Sequence, residues 1–254
     1  MHTYWFLFIL SRAIAANPYE KALQRYNADA NQPLKDLSGH QLKELQNGNV
    51  VVTMDKSDRG WRASGLIAIK KSKKEIWVAS RDQCRSQQKS TFEYVVDDYG
   101  GGSEDWYGLI ELPWPLQNRH WMIRTKPNLK LARKTQDRIW ERYWNLVDKA
   151  ESKIQTKRKE GELPAHAKEA IFTPENAGAW FVIAIDSKTT ILGYQVTTSV
   201  GGVIPDKVMM QFVSTTIDEM LIDMRGKTES IKDHYISPHT ILFGGDGKPI
   251  SYFE

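Results

Sequence analysis

Alternating and continuous apolar stretches predict a series of β-strands through the middle of the chain. Period-two alternation of apolar and polar residues favours half-buried strands, and short continuous apolar runs favour fully buried ones. Gln136–Val147 fits either a helix or a strand, and its aromatic and β-branched content favours a strand. The other predicted strands are Val50–Met54, Trp61–Lys70, Thr91–Asp97, Trp106–Leu112, Trp121–Thr125, Trp180–Ile185 and Ile191–Thr198.

Apolar spacing near 3.6 residues predicts helices on both sides of these strands. Pro18–Asn27 and Lys73–Arg81 are predicted as short helices, and Ser38 is placed to cap another that ends at Gly48. The longest predicted helix, Pro205–Arg225, carries a broad apolar stripe rich in methionine, and Gly226 is predicted to end it. The pattern therefore predicts an antiparallel α+β domain followed by one long helix.

Two segments do not fit the alternation of strands and helices. Asp148–Glu162 is rich in lysine and is predicted to be an exposed helical or mobile insertion. Residues 227–254 contain several glycines and prolines and are predicted to form an irregular tail with one short strand near Thr240–Phe243. The expected division is one folded domain over residues 17–226 and a tail over 227–254.

Residues 1–16 contain an apolar run, Tyr4–Leu10, followed by small residues, which is typical of a secretory signal peptide. The apolar run is too short to span a membrane, and cleavage is expected near Ala15 or Ala16. The segment before it carries His2 but no lysine or arginine, so an ordinary apolar N-terminus is the alternative. A cleaved leader predicts a periplasmic or secreted protein, and an uncleaved one predicts a cytoplasmic protein.

Composition narrows the possible functions. The chain has 254 residues, a net charge of +4 and a mean hydropathy of −0.52, which fits a soluble globular protein without indicating a nucleic-acid partner. Its single cysteine, Cys84, excludes an internal disulfide and a cysteine-based zinc site. The histidines lack metal-binding spacing, and no cofactor is predicted. Acids flank the glycine turn at Asp97–Asp98 and Glu104–Asp105. They are interpreted as a solvated loop, the commoner case, with the paired acids of an enzyme as the alternative.

Two motifs resemble the START-like family, which is part of the larger group of Bet v 1-like ligand-binding proteins. The first motif is the segment Ile110–Trp121, where a Pro-x-Pro turn precedes an arginine at the start of the next strand. The second comprises Gly178 and Trp180 on one strand, Tyr194 on the next, and Gly-Gly-x-x-Pro before the long helix. The resemblance covers about Asp36–Arg225.

The resemblance implies a helix-grip fold, in which a curved antiparallel sheet wraps around the long C-terminal helix. It also implies an apolar cavity between sheet and helix for a lipid-like ligand, and a methionine-rich helix face can re-pack around such ligands. Strand and helix periodicity then select the residues expected to face the ligand. These residues are Arg119, Trp121, Ile123, Thr125, Trp180, Tyr194, Met209, Phe212, Val213, Thr216 and Met220.

Three positions depart from the family pattern. An aspartate common after the motif arginine is His120 here, and a cavity arginine of several sterol-binding members corresponds to Thr125. An acidic residue common before the Gly-Gly-x-x-Pro turn corresponds to Ser199. The same alternation predicts that His120, Arg124 and Lys126 face solvent. A sterol-type charged anchor is therefore not predicted.

The sequence is compatible with three functions. The leading hypothesis is a non-enzymatic carrier or sensor of an apolar ligand, with transient membrane contact through basic clusters at Lys70–Lys74 and Lys157–Lys159. The second is a cavity enzyme of the polyketide cyclase or aromatase type. It needs a buried acid–base group, for which the candidates are Arg119, His120, Tyr143 and Tyr194. The third is a structural or partner-binding module whose cavity is filled by tryptophans.

Overall fold

A computed structural model describes residues 17–57, 60–82, 91–112, 114, 117–163, 167, 169–199 and 206–254, apart from the side chains of residues 57, 91, 206–210 and 212. Its centre is a nine-stranded sheet with the order β1-β2-β9-β8-β6-β5-β4-β3. All neighbours in that order pair antiparallel, and the two-residue strand β7 pairs parallel with β5. The predicted α+β, helix-grip architecture is confirmed.

The predicted strands are confirmed, including the ambiguous segment that becomes β6. Several begin earlier than predicted, since alternation defines the middle of a strand better than its ends. The strands are β1 (Val51–Ser57), β2 (Gly60–Ile69), β3 (Thr91–Asp98), β4 (Glu104–Ile110), β5 (Arg119–Pro127), β6 (Ile139–Leu146), β7 (Ile171–Phe172), β8 (Glu175–Ala184) and β9 (Thr190–Ser199).

Helices cover both faces of the sheet. They are α1 (Pro18–Asn27), α2 (Gly39–Gln46), α3 (Lys73–Arg81), α4 (Leu129–Lys134), α5 (Ala150–Lys159), α6 (Asp206–Glu229) and α7 (Ile231–His234). Helices α3, α6 and α7 share one core with one face of the sheet. On the other face, α1 and α2 cover one half and α5 covers the other.

Local sequence explains where the short helices begin. Ser38 and Ser72 each accept a hydrogen bond from the third residue of the following helix, and that residue's side chain, Gln41 or Glu75, bonds back to the serine N–H. These capping boxes satisfy backbone N–H groups that the first turn leaves without partners. The predicted cap at Ser38 is confirmed.

The predicted end of the long helix is wrong. Helix α6 continues through Gly226 to Glu229, and α7 follows directly. The predicted irregular tail is also anchored to the fold, because Ile231, Tyr235 and Ile250 are buried in the core beside α3 and α6. Of the predicted short strand, the structure has a single bridge between Phe243 and Pro249. A glycine ends a helix where it adopts the left-handed conformation and the chain changes direction. Here Met224 and Ile231, on either side of Gly226, are both buried in the same core, and the helix continues.

The predicted solvent face of β5 is wrong at His120. This side chain is buried beneath α5, in the layer that contains Tyr107 and Met122. Arg124 and Lys126, further along the strand, are half-buried and exposed. The lysine-rich segment predicted as an insertion forms α5, which buries Ala150 and Ile154 against this layer. Two apolar residues are enough to attach this charged helix to the sheet.

Some predictions fall outside the described residues. They concern the leader at residues 1–16, Cys84 and the Gly-Gly-x-x-Pro segment at 201–205. Within the part of the chain that the structure describes, no helix combines the length and apolarity needed to cross a membrane.

Candidate ligand-binding cavity

A cavity of about 210 Å³ lies between the sheet and the N-terminal half of α6. Its wall comes from strands β3, β4, β5, β6, β8 and β9, from the segments that follow β4 and precede β8, and, among the described side chains of α6, from Val213. It is mostly apolar, with a few polar side chains between aromatic rings. The lining residues are Glu93, Trp106, Ile110, Leu112, Arg119, Trp121, Ile123, Thr125, Arg142, Trp144, Thr173, Asn176, Trp180, Tyr194, Val196, Thr198 and Val213.

Among the α6 side chains that the structure describes, Val213 borders the cavity, and the buried ones further along the helix pack on solid core. Val213 lines the cavity, whereas Ile217 and Leu221 lie directly on β2. At their contact point β2 has Gly65, and a Cβ there would overlap both side chains. Because a glycine in a strand permits such close approach, the C-terminal half of α6 is fixed on the sheet while its N-terminal half bridges the cavity.

The structure brings most of the predicted ligand-contacting residues together. Seven line the cavity: Arg119, Trp121, Ile123, Thr125, Trp180, Tyr194 and Val213. Thr216 and Met220 are not among the lining residues, and Met220 packs against the core beside α3. The side chains of Met209 and Phe212 lie outside the described part of the structure. For all the residues that were predicted to face the ligand, direct contact with a ligand stays a prediction.

A glycine in the sheet sets the position of the Trp144 ring, which borders the cavity. Gly178 pairs with Trp144 across β8 and β6, and the indole ring lies where a Cβ of residue 178 would be. The Nε1 of Trp144 donates a hydrogen bond of 2.8 Å to Asn176 Oδ1. The ring is therefore held close against β8 by the hydrogen bond and by the missing side chain at position 178.

A buried ionic cluster forms one end of the cavity. Arg142 is 7% exposed, pairs with the carboxylate of Glu104, and donates a 2.6 Å hydrogen bond to Thr125 Oγ1. Arg81 Nη2 lies 3.6 Å from the same Glu104 oxygen, and Trp106 Nε1 donates to it over 2.8 Å. The interpretation of Glu104 and Asp105 as a solvated acidic loop is wrong, since both lie on β4 and pair with arginines on opposite faces of the sheet.

A second polar group lies near the start of β5. Arg119 is buried and donates a 2.5 Å hydrogen bond to the carbonyl of Gln117, and its burial lowers the pKa of its guanidinium. Thr173 is also buried and lines the cavity, and its hydroxyl has no hydrogen-bond partner among the described residues. Arg119 and Thr125 are six residues apart on β5, so the polar ends are separated by roughly 20 Å along the strand.

Sequence reasoning missed two ionisable residues that line the cavity. Arg142 lies two residues from both Trp140 and Trp144 on β6, and this spacing places its side chain on the same face of the strand as their rings. Glu93 lies on β3, which is an edge strand of the sheet, and no motif in the sequence marks it. Because side chains alternate between the two faces of a strand, both residues can be assigned to the cavity face once the face of one neighbour on the same strand is known.

Glu93 combines accessible surface with a perturbed pKa. The residue is exposed, yet desolvation by the surrounding protein raises the pKa of its carboxyl to about 7. Surface that faces an apolar cavity hydrates a carboxylate less well than bulk water does, which accounts for both observations. Tyr194 lies within its electrostatic reach, and burial together with the charge of Glu93 raises the pKa of the Tyr194 phenol.

Two of the four candidate acid–base residues do not reach the cavity. Tyr143 packs against the α1 and α2 side of the sheet. His120 lies beneath α5 at 3.2 Å from the hydroxyl of Tyr107, and desolvation with the nearby charge of Arg158 lowers its pKa to about 4. That shift reflects a neutral core histidine on the far face of the sheet. Arg119 and Tyr194 remain, and both line the cavity.

The fold of this chain is similar to those of several solved structures. Human STARD10 superposes with a TM-score of 0.55 at 10% identity, over 79% of this chain and 83% of that one. Human StAR-related lipid transfer protein 5 gives 0.55 at 11% identity, over 84% and 93%. A STAR-related lipid transfer protein from Xanthomonas axonopodis gives 0.52 at 17% identity, over 77% and 97%.

The chain has a START-like fold. No protein-family model and no curated protein sequence matches the chain. At such low identity the structural likeness establishes the fold alone. No group of three or more potential metal-ligating side chains occurs within the described ranges.

Proposed function

We propose that this START-like protein binds and carries a hydrophobic, lipid-like ligand in the cavity beneath α6, without transforming it chemically. The observation that carries the proposal is the cavity itself, which is walled by tryptophans and aliphatic residues and bridged by α6 at Val213. Ligand pockets are typically concave, mostly apolar and provided with few polar groups that set orientation. The lipid-transfer proteins that share the fold add support for this class of ligand.

The size of the cavity restricts the ligand. A volume of about 210 Å³ lies below the roughly 300–1,000 Å³ of drug-sized ligand sites. An amphiphile with one alkyl chain or a small polycyclic molecule suits this space better than a lipid with two acyl chains.

Filling the cavity tests the proposal. Val213→Trp places an indole in the space that the ligand would occupy, whereas Gln211→Trp adds the same ring to an exposed position of α6. Native mass spectrometry after mild purification is expected to find a copurified apolar molecule on the wild type and on Gln211→Trp but not on Val213→Trp. A wild-type protein that carries no such molecule, and gains no thermal stability from a broad panel of lipids, would contradict the proposal.

We also propose that the protein contacts membranes transiently through the loop between β4 and β5. Trp114 in this loop is 92% exposed, and residues on both sides of the loop, Leu112 and Arg119, line the cavity. Tryptophan favours the interface between water and lipid. The basic clusters are less suited to this role, because Lys74 lies over the ring of Phe253 and Lys157 pairs with Glu162. Trp114→Ala is expected to weaken sedimentation with phosphatidylcholine vesicles, and unchanged sedimentation would contradict this contact.

Export through the N-terminal leader remains a proposal as well, supported by the apolar run and the small residues before position 17. Amino-terminal sequencing of the protein from its native host tests it: a mature chain that begins near residue 16 or 17 is expected, and an intact first residue would contradict it.

A cavity enzyme is the second candidate function, and Glu93 is the observation that favours it. A carboxyl with a pKa near 7 is suited to general acid–base catalysis at neutral pH. It faces a cavity that also contains the phenol of Tyr194 and the guanidinium of Arg119. Incubation of the protein with any copurified ligand, or with polyketide-type substrates, tests this candidate. Turnover that Glu93→Gln abolishes would favour the enzyme over the carrier.

A further inference from the structure

The ionic cluster at one end of the cavity carries more positive than negative charge. Arg81 and Arg142 share the single carboxylate of Glu104. The neighbouring acid Asp105 points to the other face of the sheet, where Arg124 binds it at 2.6 Å. Two guanidinium groups against one carboxylate give the cluster of Arg81, Arg142 and Glu104 a net charge of +1. The other carboxylate on the cavity wall, Glu93, lies on β3 and forms no ion pair with these arginines among the described residues.

This excess charge is removed from water. The side chains of Arg142 and Arg81 are 8% and 9% exposed, and that of Glu104 is 16% exposed. Burial lowers the pKa of the Arg81 guanidinium, and the Glu104 carboxylate opposes this shift. Buried charges in proteins are normally paired, because removing an unpaired charge from water costs free energy. The cluster is therefore suited to receive an additional anion.

Arg142 lines the cavity and also has a buried donor without a partner among the described residues. Its Nη2 is engaged by Glu104 and Thr125, but its buried Nε–H has no hydrogen-bond partner among the described residues. The guanidinium lies 5.6 Å from the ring centre of Trp106, which borders the same space. A ligand atom that accepts this hydrogen bond would satisfy a buried polar group that the protein leaves open.

We infer that the cavity selects an amphiphile with an anionic carboxylate head, which the Arg142 guanidinium binds while the alkyl chain extends along β5 between the tryptophans. This inference rests on the proposed carrier function and specifies the class of ligand. A carboxylate supplies both the missing charge and the missing acceptor, whereas an alcohol supplies only an acceptor and an amine adds a repelled charge. Thr125, which replaces an arginine in the family pattern, accepts a hydrogen bond from Arg142 and so helps to orient it.

Three probes with the same chain test the head-group preference: decanoate, decan-1-ol and decylamine. Isothermal titration of the wild type at neutral pH is expected to give decanoate an affinity roughly ten- to hundred-fold above that of decan-1-ol, the range of one charge-assisted hydrogen bond. Decylamine is expected to bind weakest. Equal affinity for decanoate and decan-1-ol would overturn the inference and leave the carrier function standing. Failure to bind any of the three probes or any other lipid would overturn the carrier function itself.

Arg142→Met removes the charge and the donor but keeps an unbranched apolar side chain of similar length. It is expected to abolish the preference for decanoate while retaining affinity for decan-1-ol. Arg124→Met is the matched control, since it removes a guanidinium from the opposite face of the sheet. A folded Arg142→Met protein that still prefers decanoate would contradict the inference.

A measurement on the wild type keeps the inference testable if Arg142→Met does not fold. Decanoate labelled with ¹³C at the carboxyl reports its own titration by NMR while bound. Contact with the guanidinium is expected to hold the pKa of the bound carboxyl below that of free decanoate. A bound pKa above the free value would mean that the head lies in the apolar part of the cavity, which contradicts binding to Arg142.

Discussion

The indole ring of Trp121 lies over the Cα of Gly108, its direct partner on the neighbouring strand. A Cβ at position 108 would overlap the Nε1 side of that ring. Trp121 is one of the aromatic walls of the cavity, so the absence of a side chain on β4 sets where this wall stands on β5. The shape of the cavity therefore depends on small residues beneath the rings as much as on the rings themselves.

Gly108→Ala is expected to destabilise the protein and to alter its binding of ligand. The added methyl group forces the Trp121 ring away from the sheet and into the cavity, and overpacking of this kind costs about 1–3 kcal/mol. Chemical denaturation and decanoate titration measure the two effects. Gly39→Ala, at the start of α2 and with no neighbouring atom within 4 Å, is the control: it is expected to cause no loss of stability and to leave decanoate affinity unchanged. A Gly108→Ala protein as stable as the wild type, with unchanged affinity, would contradict this account.

The sequence predicts the strands and the cavity face well because both depend on local periodicity. Alternation places Trp121, Ile123 and Thr125 together, and the structure has all three on the cavity wall. Periodicity cannot tell which distant segment covers a face, so it assigned solvent to His120 where α5 packs. It also cannot reveal that Glu104 meets Arg142, because these residues are brought together only by the pairing of β4, β5 and β6.

Gly226→Ala is expected to change the stability of the protein and not its ligand binding. The residue lies inside α6, and a Cβ at this position would meet no atom within 4 Å. Alanine favours the helical backbone over glycine, so Gly226→Ala is expected to raise the free energy of unfolding by about 0.5–1 kcal/mol. Urea denaturation checks the change. A loss of stability would mean that the helix ends at Gly226, as the sequence pattern suggested, and does not continue into α7.

Glu93 is expected to make stability depend on pH. Its pKa of about 7 in the folded protein lies above the ordinary value of 4.5, so the folded state binds the proton more tightly than the unfolded state does. The free energy of unfolding is then highest below about pH 4.5, falls as the pH rises towards 7, and levels off above it. Glu93→Gln, which is neutral at every pH, is expected to remove this fall. Urea denaturation across this pH range measures both proteins, and parallel curves for wild type and variant would exclude Glu93 as the source.

The last prediction concerns the polar network that attaches α1 to the opposite face of the sheet. The hydroxyl of Tyr26 donates a 2.8 Å hydrogen bond to Glu141 Oε1 and accepts one of 3.1 Å from Gln195 Nε2. Glu141 has no exposed surface, and burial raises the pKa of its carboxyl while its hydrogen bonds to Asn128, Tyr26 and the Asn31 backbone oppose the shift.

Tyr26→Phe removes only the hydroxyl, because the ring can still stack on Phe181, whose centroid lies 4.2 Å away. The loss of one donor to a buried carboxylate is expected to lower the free energy of unfolding by about 1–3 kcal/mol. Tyr19→Phe, on the same helix but with a partly exposed side chain, is expected to change it little. Decanoate affinity should stay at the wild-type value, since the network and the cavity lie on opposite faces of the sheet. An equal effect of the two substitutions on stability would show that Tyr26 contributes its ring and not its hydroxyl.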